Sequence, residues 1–251
     1  MKIDAILSPA ELPALAKRDL RDATCVVFDV LRATSTFVTA LHHGAKAIVP
    51  VSEIAEALAL RQRQPDILLG GERDGVRIRA AQTGGIDFDL GNSPREYTPE
   101  KVRGKTIIST TTNGTRALRA CTGAQTVLAA SFLNLGATAQ FIRQLQPAQI
   151  VLVCAGTREN IATEDVLAAG ALGEMLLRDS GGRAVSDSAE IALSAWRKAK
   201  SNLLEVVSEA ENARRLLAIP ELRDDVAFCL RPDVYNLIAV LGRDGAIRIL
   251  I

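Results

Sequence analysis

The chain has 251 residues, 48% of them hydrophobic, and its 30 basic and 29 acidic side chains leave a formal net charge of +1. That length and apolar content support one substantial core, while the balanced charge offers no global field to recruit nucleic acid or an anionic membrane surface. The opening "MKIDAILSPAELPALAKRDLRD" lacks the apolar stretch of a signal peptide, and no later segment reaches the roughly 20 apolar residues of a membrane span; the expectation is a cytoplasmic protein that meets neither nucleic acid nor membrane.

The first predicted strand is "CVVFDV", followed by the helical "TSTFVTALHHG", the strand "AKAIVPV", the helix "EIAEALALRQRQ" and the strand "DILLGG". These strands are short, continuous apolar runs, the pattern of strands covered on both faces. From Gly70 to Thr98 the alternation stops in a stretch rich in glycine and charge. A break of that length in a compact domain is usually functional or disordered. The alternation resumes with "KTIIST", a turn, the helix "RALRAC", the strand "QTVLAA", the helix "FLNLGATAQFIRQL", the strand "QIVLVCAG" and the helix "TEDVLAAGALGEMLLRD". Residues 186–218 read as helical, capped by Ser186 or Asp187, and "YNLIAVLGRDGAIRILI" reads as a hairpin around Arg243, Asp244 and Gly245. Together these predict a single domain over residues 1–251, subdivided near 98–104. Its fold class is α/β, a three-layer α/β/α arrangement with a mostly parallel or mixed sheet.

Two stretches, "VVFDVLRATSTFVTALHHGAKAIVPVS" and "TIISTTTNGTRALRACTGAQTVLAAS", align without a gap and pair Thr36 with Thr115 and Gly44 with Gly123. Internal duplication of a βαβ unit and the shared grammar of α/β proteins both account for the match. Cys25, Cys121, Cys154 and Cys229 lie far apart in apolar contexts without a C-x-x-C pair, which predicts buried thiols. His42 and His43 are adjacent, so their side chains diverge on a helix and cannot readily share a catalytic task.

Four segments concentrate groups capable of chemistry. Asp29 ends a buried strand, with Arg32, Thr34, Ser35 and Thr36 opening the next helix. Ligands of open α/β sheets sit at that carboxyl end, although helix capping alone also accounts for Asp29 and Thr34. Thr110 to Thr115 bring hydroxyls, Asn113 and Gly114 to a strand-to-helix turn, which is either a generic anion site or a tight turn. Glu72 and Arg73 in "GGERDG", Asp87, Asp89, and Asn92 with Ser93 in "GNSPREY" combine acids and donors, as a hard cation beside an anion requires. In "CAGTRENIATEDVLAAG", Gly156 and Arg158 follow a strand while Glu164 and Asp165 open a helix, where stabilisation of the helix dipole is the plainer explanation.

Spacing removes several chemistries. No G-x-x-x-x-G-K-[ST] occurs, and neither Cys25 to Arg32 nor Cys154 to Arg158 fits C-x5-R. "DVLRA" lacks the second aspartate of D-x-D-x-T, and "DSA" at Asp187 lacks the metal-binding histidines that an alkaline phosphatase serine needs.

Taken in order, "DVLRATSTFVTAL", "GAKAIVPV", "GGERDGV", "FDLGNSPREYT", "KTIISTTTNGTRAL", "SFLN", "VCAGTRENIATEDVLAAG" and "SDSAEIAL" resemble the 2-phosphosulfolactate phosphatase family, the ComB-like proteins. The resemblance implies a Mg²⁺-dependent phosphatase that converts 2-phospho-3-sulfolactate to 3-sulfolactate and phosphate, a reaction of coenzyme M biosynthesis. One departure is "RIRAAQTGGID", residues 77–87, where the family has a short link, and it is expected to reshape the substrate entrance. On this reading Asp29, Arg32, Asn113, Thr115 and Asp165 act in catalysis. Thr34, Ser35, Arg73, Asn92, Ser93, Thr111, Thr112, Gly114, Arg116, Gly156 and Arg158 bind substrate, and Asp29, Glu72, Glu164 and Asp165 surround Mg²⁺. Direct attack by water and an aspartyl-phosphate on Asp29 both stay open. The expected partner is a small anionic phosphorylated substrate, with a homodimer as the assembly. The alternatives are a phosphatase of another small phosphorylated acid and a non-catalytic anion-binding module.

Overall fold

Eleven strands join one sheet in the computed structural model, which describes residues 2–180, 183–184 and 186–250. The strands are β1 (Lys2–Ile6), β2 (Ala23–Phe28), β3 (Ala47–Val51), β4 (Leu68–Arg73), β5 (Val76–Arg77), β6 (Thr106–Thr110), β7 (Thr126–Ala130), β8 (Gln149–Cys154), β9 (Arg183–Ala184), β10 (Ala239–Leu241) and β11 (Ile247–Ile249). Their order is β5-β4-β6-β3-β11-β10-β7-β2-β8-β1-β9. The helices are α1 (Leu12–Leu15), α2 (Ala33–His42), α3 (Ile54–Arg63), α4 (Ala80–Thr83), α5 (Pro99–Val102), α6 (Gly114–Ala120), α7 (Leu135–Leu145), α8 (Thr163–Ser180), α9 (Asp187–Ala199), α10 (Leu203–Ser208), α11 (Glu211–Leu217) and α12 (Arg223–Cys229).

Two parallel blocks make the sheet: β4, β6 and β3 on one side, and β7, β2, β8, β1 and β9 on the other. The hairpin β10–β11 lies between them, with β10 antiparallel to β7 and β11 antiparallel to β3. The hairpin itself follows from sequence, but its place at the centre of the sheet does not. The order from β4 to β8 reads the same backwards when β2, β3, β4 and β11 are exchanged with β6, β7, β8 and β10. The two stretches aligned in sequence are therefore the paired β2–α2–β3 and β6–α6–β7 units, each crossing from one block to the other. This arrangement favours duplication over shared grammar.

Side chains alternate across the covered strands, as a period of two requires. Cys25 and Val27 of β2 pack with Val127, Ala129, Val151 and Val153 against α2 and α6, while Val26 and Phe28 face α7, α8 and α9. A third cluster under α3 gathers Val51, Ala57, Leu69 and Ile108. Helices thus cover both faces, which gives the three-layer α/β/α architecture expected. Val102, within the 98–104 segment, is buried in the cluster shared by both blocks.

Five ladder steps separate β2 from β6, about 24 Å along a flat sheet at roughly 4.8 Å per step. The crossovers close that distance: α2 and α6 each leave their own block towards the other, residues 33–41 of α2 are buried throughout, and Gly114 at the start of α6 lies against Asp29 and Ala33. The segments that follow β2, β4 and β6 thereby meet around one cavity.

The structure adds three details to these expectations. Lys2–Ile6 forms β1, which its mixed composition did not announce and which β8 stabilises by parallel pairing. The 70–98 stretch is largely ordered, because Gly70 to Arg73 extend β4 and Phe88 N–H bonds to Ile78 O at 3.1 Å, closing residues 79–87 off as an excursion. The helical 186–218 segment breaks into α9, α10 and α11, and Ser186 supplies the first cap by accepting from Ala189 N–H at 3.2 Å. No helix among the described residues is long and apolar enough to cross a membrane.

The closest helix crossing is α8 on α9, where a Cβ on Gly170 would lie 2.1 Å from Ala192 O and 2.8 Å from Trp196 Cβ. Gly170→Ala is expected to destabilise by about 1–3 kcal/mol, read as a fall in Tm of roughly 2–12 °C by calorimetry.

Candidate active site

After β2 the chain turns sharply into α2, and Asp29 sits in that turn, 7% exposed. Its Oδ1 accepts from Ala33 N–H at 3.0 Å, and its own N–H donates to Thr34 Oγ1 at 3.1 Å. The helix cap is therefore real, and it holds the carboxylate rather than replacing its other uses. From the opposite block, α6 arrives with Gly114 against the same carboxylate: a Cβ there would stand 2.8 Å from Asp29 Oδ2 and 3.0 Å from Ala33 Cβ. The Gly114 backbone amide lies close enough to favour the charged form of that carboxylate. Burial, with the added charges of Glu72 and Glu164, pushes the Asp29 carboxyl up to about 7 against the lowering effect of the Ala33 and Gly114 amides.

One cavity collects Asp29, Arg32, Glu72, Asn92, Thr111 and Thr112 with Asn113 and Arg158. Glu72 stands at the end of β4, where Oε1 accepts from Thr112 N–H and Oγ1–H, both at 3.1 Å, and Oε2 accepts from Gly75 N–H at 2.8 Å. Asn113 accepts the Arg158 N–H on Oδ1 at 3.3 Å. The side-chain oxygen of Asn92 is buried without a partner, while its backbone carbonyl accepts from Thr36 Oγ1–H at 2.8 Å.

Other predicted residues are spent elsewhere. Ser35 Oγ donates to Val30 O at 2.8 Å, and Ser93 Oγ donates to Asp225 Oδ1 at 2.7 Å. Thr115 faces Thr111, with hydroxyls 3.4 Å apart. Arg73 donates to the carbonyls of Glu72 and Ser52, and Arg116 pairs with Glu159 at 2.9 Å on the surface. Asp87 accepts from Ala80 N–H, and Asp89 from Leu69 N–H and Arg61, so neither faces the cavity. Nor does any residue of the 79–87 excursion line it, contrary to the expectation of a reshaped entrance. Gly156, at φ 64°, passes so close to Pro9 and Asn160 that a Cβ would meet each at 2.4 Å.

Two acids open α8. Asp165 accepts from Val30 N–H at 2.8 Å and Gly156 N–H at 3.0 Å, one bond per carboxylate oxygen, which ties the β2 and β8 turns together. Glu164 is buried, with Oε1 accepting from Asn212 Nδ2 at 2.8 Å and Oε2 without a partner. Burial raises both carboxyls, and for Asp165 the charges of Glu164 and Asp29 add to it.

Sequence patterns did not single out Asp74, Asn212 and Arg215, which line the same cavity, nor Asp225. Arg32 and Asp225 form a buried ion pair at 2.8 Å, and Arg32 also donates to Gly75 O. Asn212 and Arg215 lie in "NARRLL", and Asp225 opens "DVAFCL"; both strings resemble the family only weakly, and neither marks which side chain reaches the site. His42 stacks on Tyr235 at 4.2 Å, and all four cysteines are free and buried.

Among the described residues, no group of three or more His, Cys, Asp and Glu is placed to hold a metal ion by itself. Asp29 and Glu72 nevertheless suit a hard cation that completes its shell with water and phosphate oxygens. The Asp29 carboxyl, raised by burial first and then by the charges of Glu72 and Glu164, and the partnerless Glu164 oxygen mark an excess of buried negative charge.

A family model described as 2-phosphosulpholactate phosphatase matches residues 10–244. A probable 2-phosphosulfolactate phosphatase of Caldanaerobacter subterraneus subsp. tengcongensis is 39% identical over 233 residues, covering 92% of each chain. One of Pseudothermotoga lettingae is 40% identical over 225 residues, covering 89% of this chain and 92% of its own. One of Clostridium acetobutylicum is 35% identical over 239 residues, covering 95% and 96%.

Gly114→Ala would force α6 and Asp29 apart by a few tenths of an ångström. The expected cost is about 1–3 kcal/mol of stability, as for an overpacked core. Phosphate release should fall far more than the shift in Tm explains, when both are measured on the same preparation.

Proposed function

Because the chain belongs to the 2-phosphosulfolactate phosphatase family, and is therefore a phosphoric monoester hydrolase, we propose that it hydrolyses the phosphate ester of 2-phosphosulfolactate to sulfolactate and phosphate in the cavity at Asp29. The observation that carries this reading is the meeting of two buried carboxylates, Asp29 and Glu72, with Arg158 and Arg215 in the lining of one cavity. Phosphate monoesters hydrolyse so slowly unaided that enzymes accelerate them by up to about 10²¹-fold, which demands a site organised around charge.

Asp29 and Glu72 would hold Mg²⁺, as the family resemblance implies. Bound there, the ion would polarise the phosphoryl group and neutralise the charge that develops on it. Asn92, Thr111, Thr112 and Asn113 line the space beside these acids and are assigned to orienting phosphate oxygens. Asp165 is assigned to positioning, because both its oxygens already accept backbone N–H groups. Thr34, Ser35 and Ser93 support the turn and the Arg32–Asp225 pair. Glu164, whose Oε2 has no partner, would add its negative charge to the hold on the ion. Asp29 serves either as nucleophile or as ligand only, and rapid-quench trapping distinguishes these: a hydroxylamine-sensitive phosphoryl label during turnover would establish the covalent route.

Purified protein should release phosphate from racemic 2-phosphosulfolactate with Mg²⁺, and chelation should abolish this reversibly. Asp29→Asn is expected to lower kcat by on the order of 10²–10³-fold, the scale for removing one electrostatic group from a reacting centre. Absence of phosphate release with every divalent cation tried would sink the reading.

A further inference from the structure

We propose that Arg158 and Arg215 form the subsite for the non-phosphate oxyanions of the substrate and thereby set specificity for phosphate esters that carry a second strong anion. This rests on the reading of the cavity as the site of phosphosulfolactate hydrolysis.

The inference comes from which guanidinium groups are still available. Arg73 is held by two carbonyls, Arg116 by Glu159, and Arg32 by Asp225 and Gly75 O. Arg158 is an exposed side chain at the rim of the cavity, without a carboxylate or side-chain hydrogen-bond partner among the described residues. Arg215 approaches only Glu211, at 3.8 Å, and although its side chain is 39% exposed, its Nη1 is buried with no hydrogen bond. A buried donor left without a partner is costly, the more so when it is charged. One such donor at the wall of a cavity, beside a second arginine free of any acid, is explained by a ligand.

Both arginines are also held on positioned backbone. Arg158 sits at φ 56° in a short loop closed by Thr157 and Asn160, which exchange N–H···O bonds of 2.9 Å in both directions, and its own N–H bonds to Asn113. Arg215 lies on α11, one turn after Asn212, and Asn212 donates to both Thr157 Oγ1 and Glu164 Oε1. One amide thus ties the two arginine-bearing segments to each other and to the acidic wall. The acids repel every anion unless a cation intervenes, so they suit the phosphoryl group. Arginine forks bind carboxylates and tetrahedral oxyanions directly, through paired N–H···O bonds. The substrate has one group for the first wall and two, sulfonate and carboxylate, for the second.

The test uses Mg²⁺-replete full-length protein and the variants Arg158→Gln, Arg215→Gln, Arg158→Lys and Arg215→Lys. Activity is measured on 2-phosphosulfolactate and on 2-phospholactate, which lacks the sulfonate, and calorimetry measures the affinity for sulfolactate. Each Gln variant should lose on the order of 10–10²-fold in kcat/KM for phosphosulfolactate, mainly through KM, as expected for lost charged hydrogen bonds. Sulfolactate binding should weaken in parallel, with partial recovery in the Lys variants. A loss at least tenfold greater on phosphosulfolactate than on phospholactate assigns the pair to the sulfonate, and equal losses assign it to the carboxylate. If the parent turns over phosphosulfolactate but both Gln variants keep its kcat/KM and its affinity for sulfolactate, the subsite is wrong and the phosphatase reading stands. If the parent does not turn over, Arg-dependent binding of sulfolactate still supports the subsite, and no binding overturns it.

Discussion

The contact between Gly114 and Asp29 is the constraint from which the site follows. Asp29 belongs to one parallel block and Gly114 to the other, five ladder steps away in the sheet. They touch because α2 and α6 cross from one block to the other and because position 114 carries no Cβ, which would stand 2.8 Å from the carboxylate. The glycine is needed here for close approach of a backbone, since a Cβ would also stand 3.0 Å from Ala33 Cβ. The threonine-rich turn before α6 therefore serves first to grip a carboxylate of the protein itself. Its other residues, Thr111, Thr112 and Asn113, face the cavity around that carboxylate.

A second consequence of this convergence is electrostatic. Bringing the ends of β2 and β4 and the start of α8 together concentrates Asp29, Glu72, Glu164 and Asp165 in a buried region, and burial raises three of these carboxyls. Charges are rarely left in such a state for stability's sake, because desolvation opposes them. The fold offsets part of the cost with backbone amides: two on Asp165, one each from Thr112 and Gly75 on Glu72, and those of Ala33 and Gly114 on Asp29. Arg32 is committed to Asp225 on α12, so it stiffens the turn beside Asp29 rather than cancelling the acids. On the proposed reading, the remaining negative charge suits the cavity to a cation and, through it, to phosphate.

Much of the site was legible in sequence, and the reason is local. Asp29, Glu72, Asn113 and Arg158 each sit where an apolar strand run meets a polar turn, and strand ends are where α/β sheets bind ligands. Composition could not say which way a side chain turns. Arg73 and Arg158 look equivalent in the sequence, yet Arg73 is held by carbonyls while Arg158 lines the cavity. Ser35 and Ser93 look like phosphate donors and are used on Val30 and Asp225. Asn212, Arg215 and Asp225 were not visible as site residues, because they sit in amphipathic helices whose pattern only announces a buried face.

By composition and periodicity alone, the chain is committed to α/β layers: its strand runs are apolar on both faces and can be stable only between helices. The same local signals place polar turns after β2, β4, β6 and β8 and mark the duplicated strand–helix–strand unit. Strand order, the central position of the β10–β11 hairpin and the crossing of α2 and α6 between the blocks depend on hydrogen-bond partners distant in sequence, and no short window encodes them. Those long-range pairings join the two blocks, press Gly114 onto Asp29 and swing α11 over the cavity. A set of separate strand-end motifs becomes one charged site only when the tertiary structure closes.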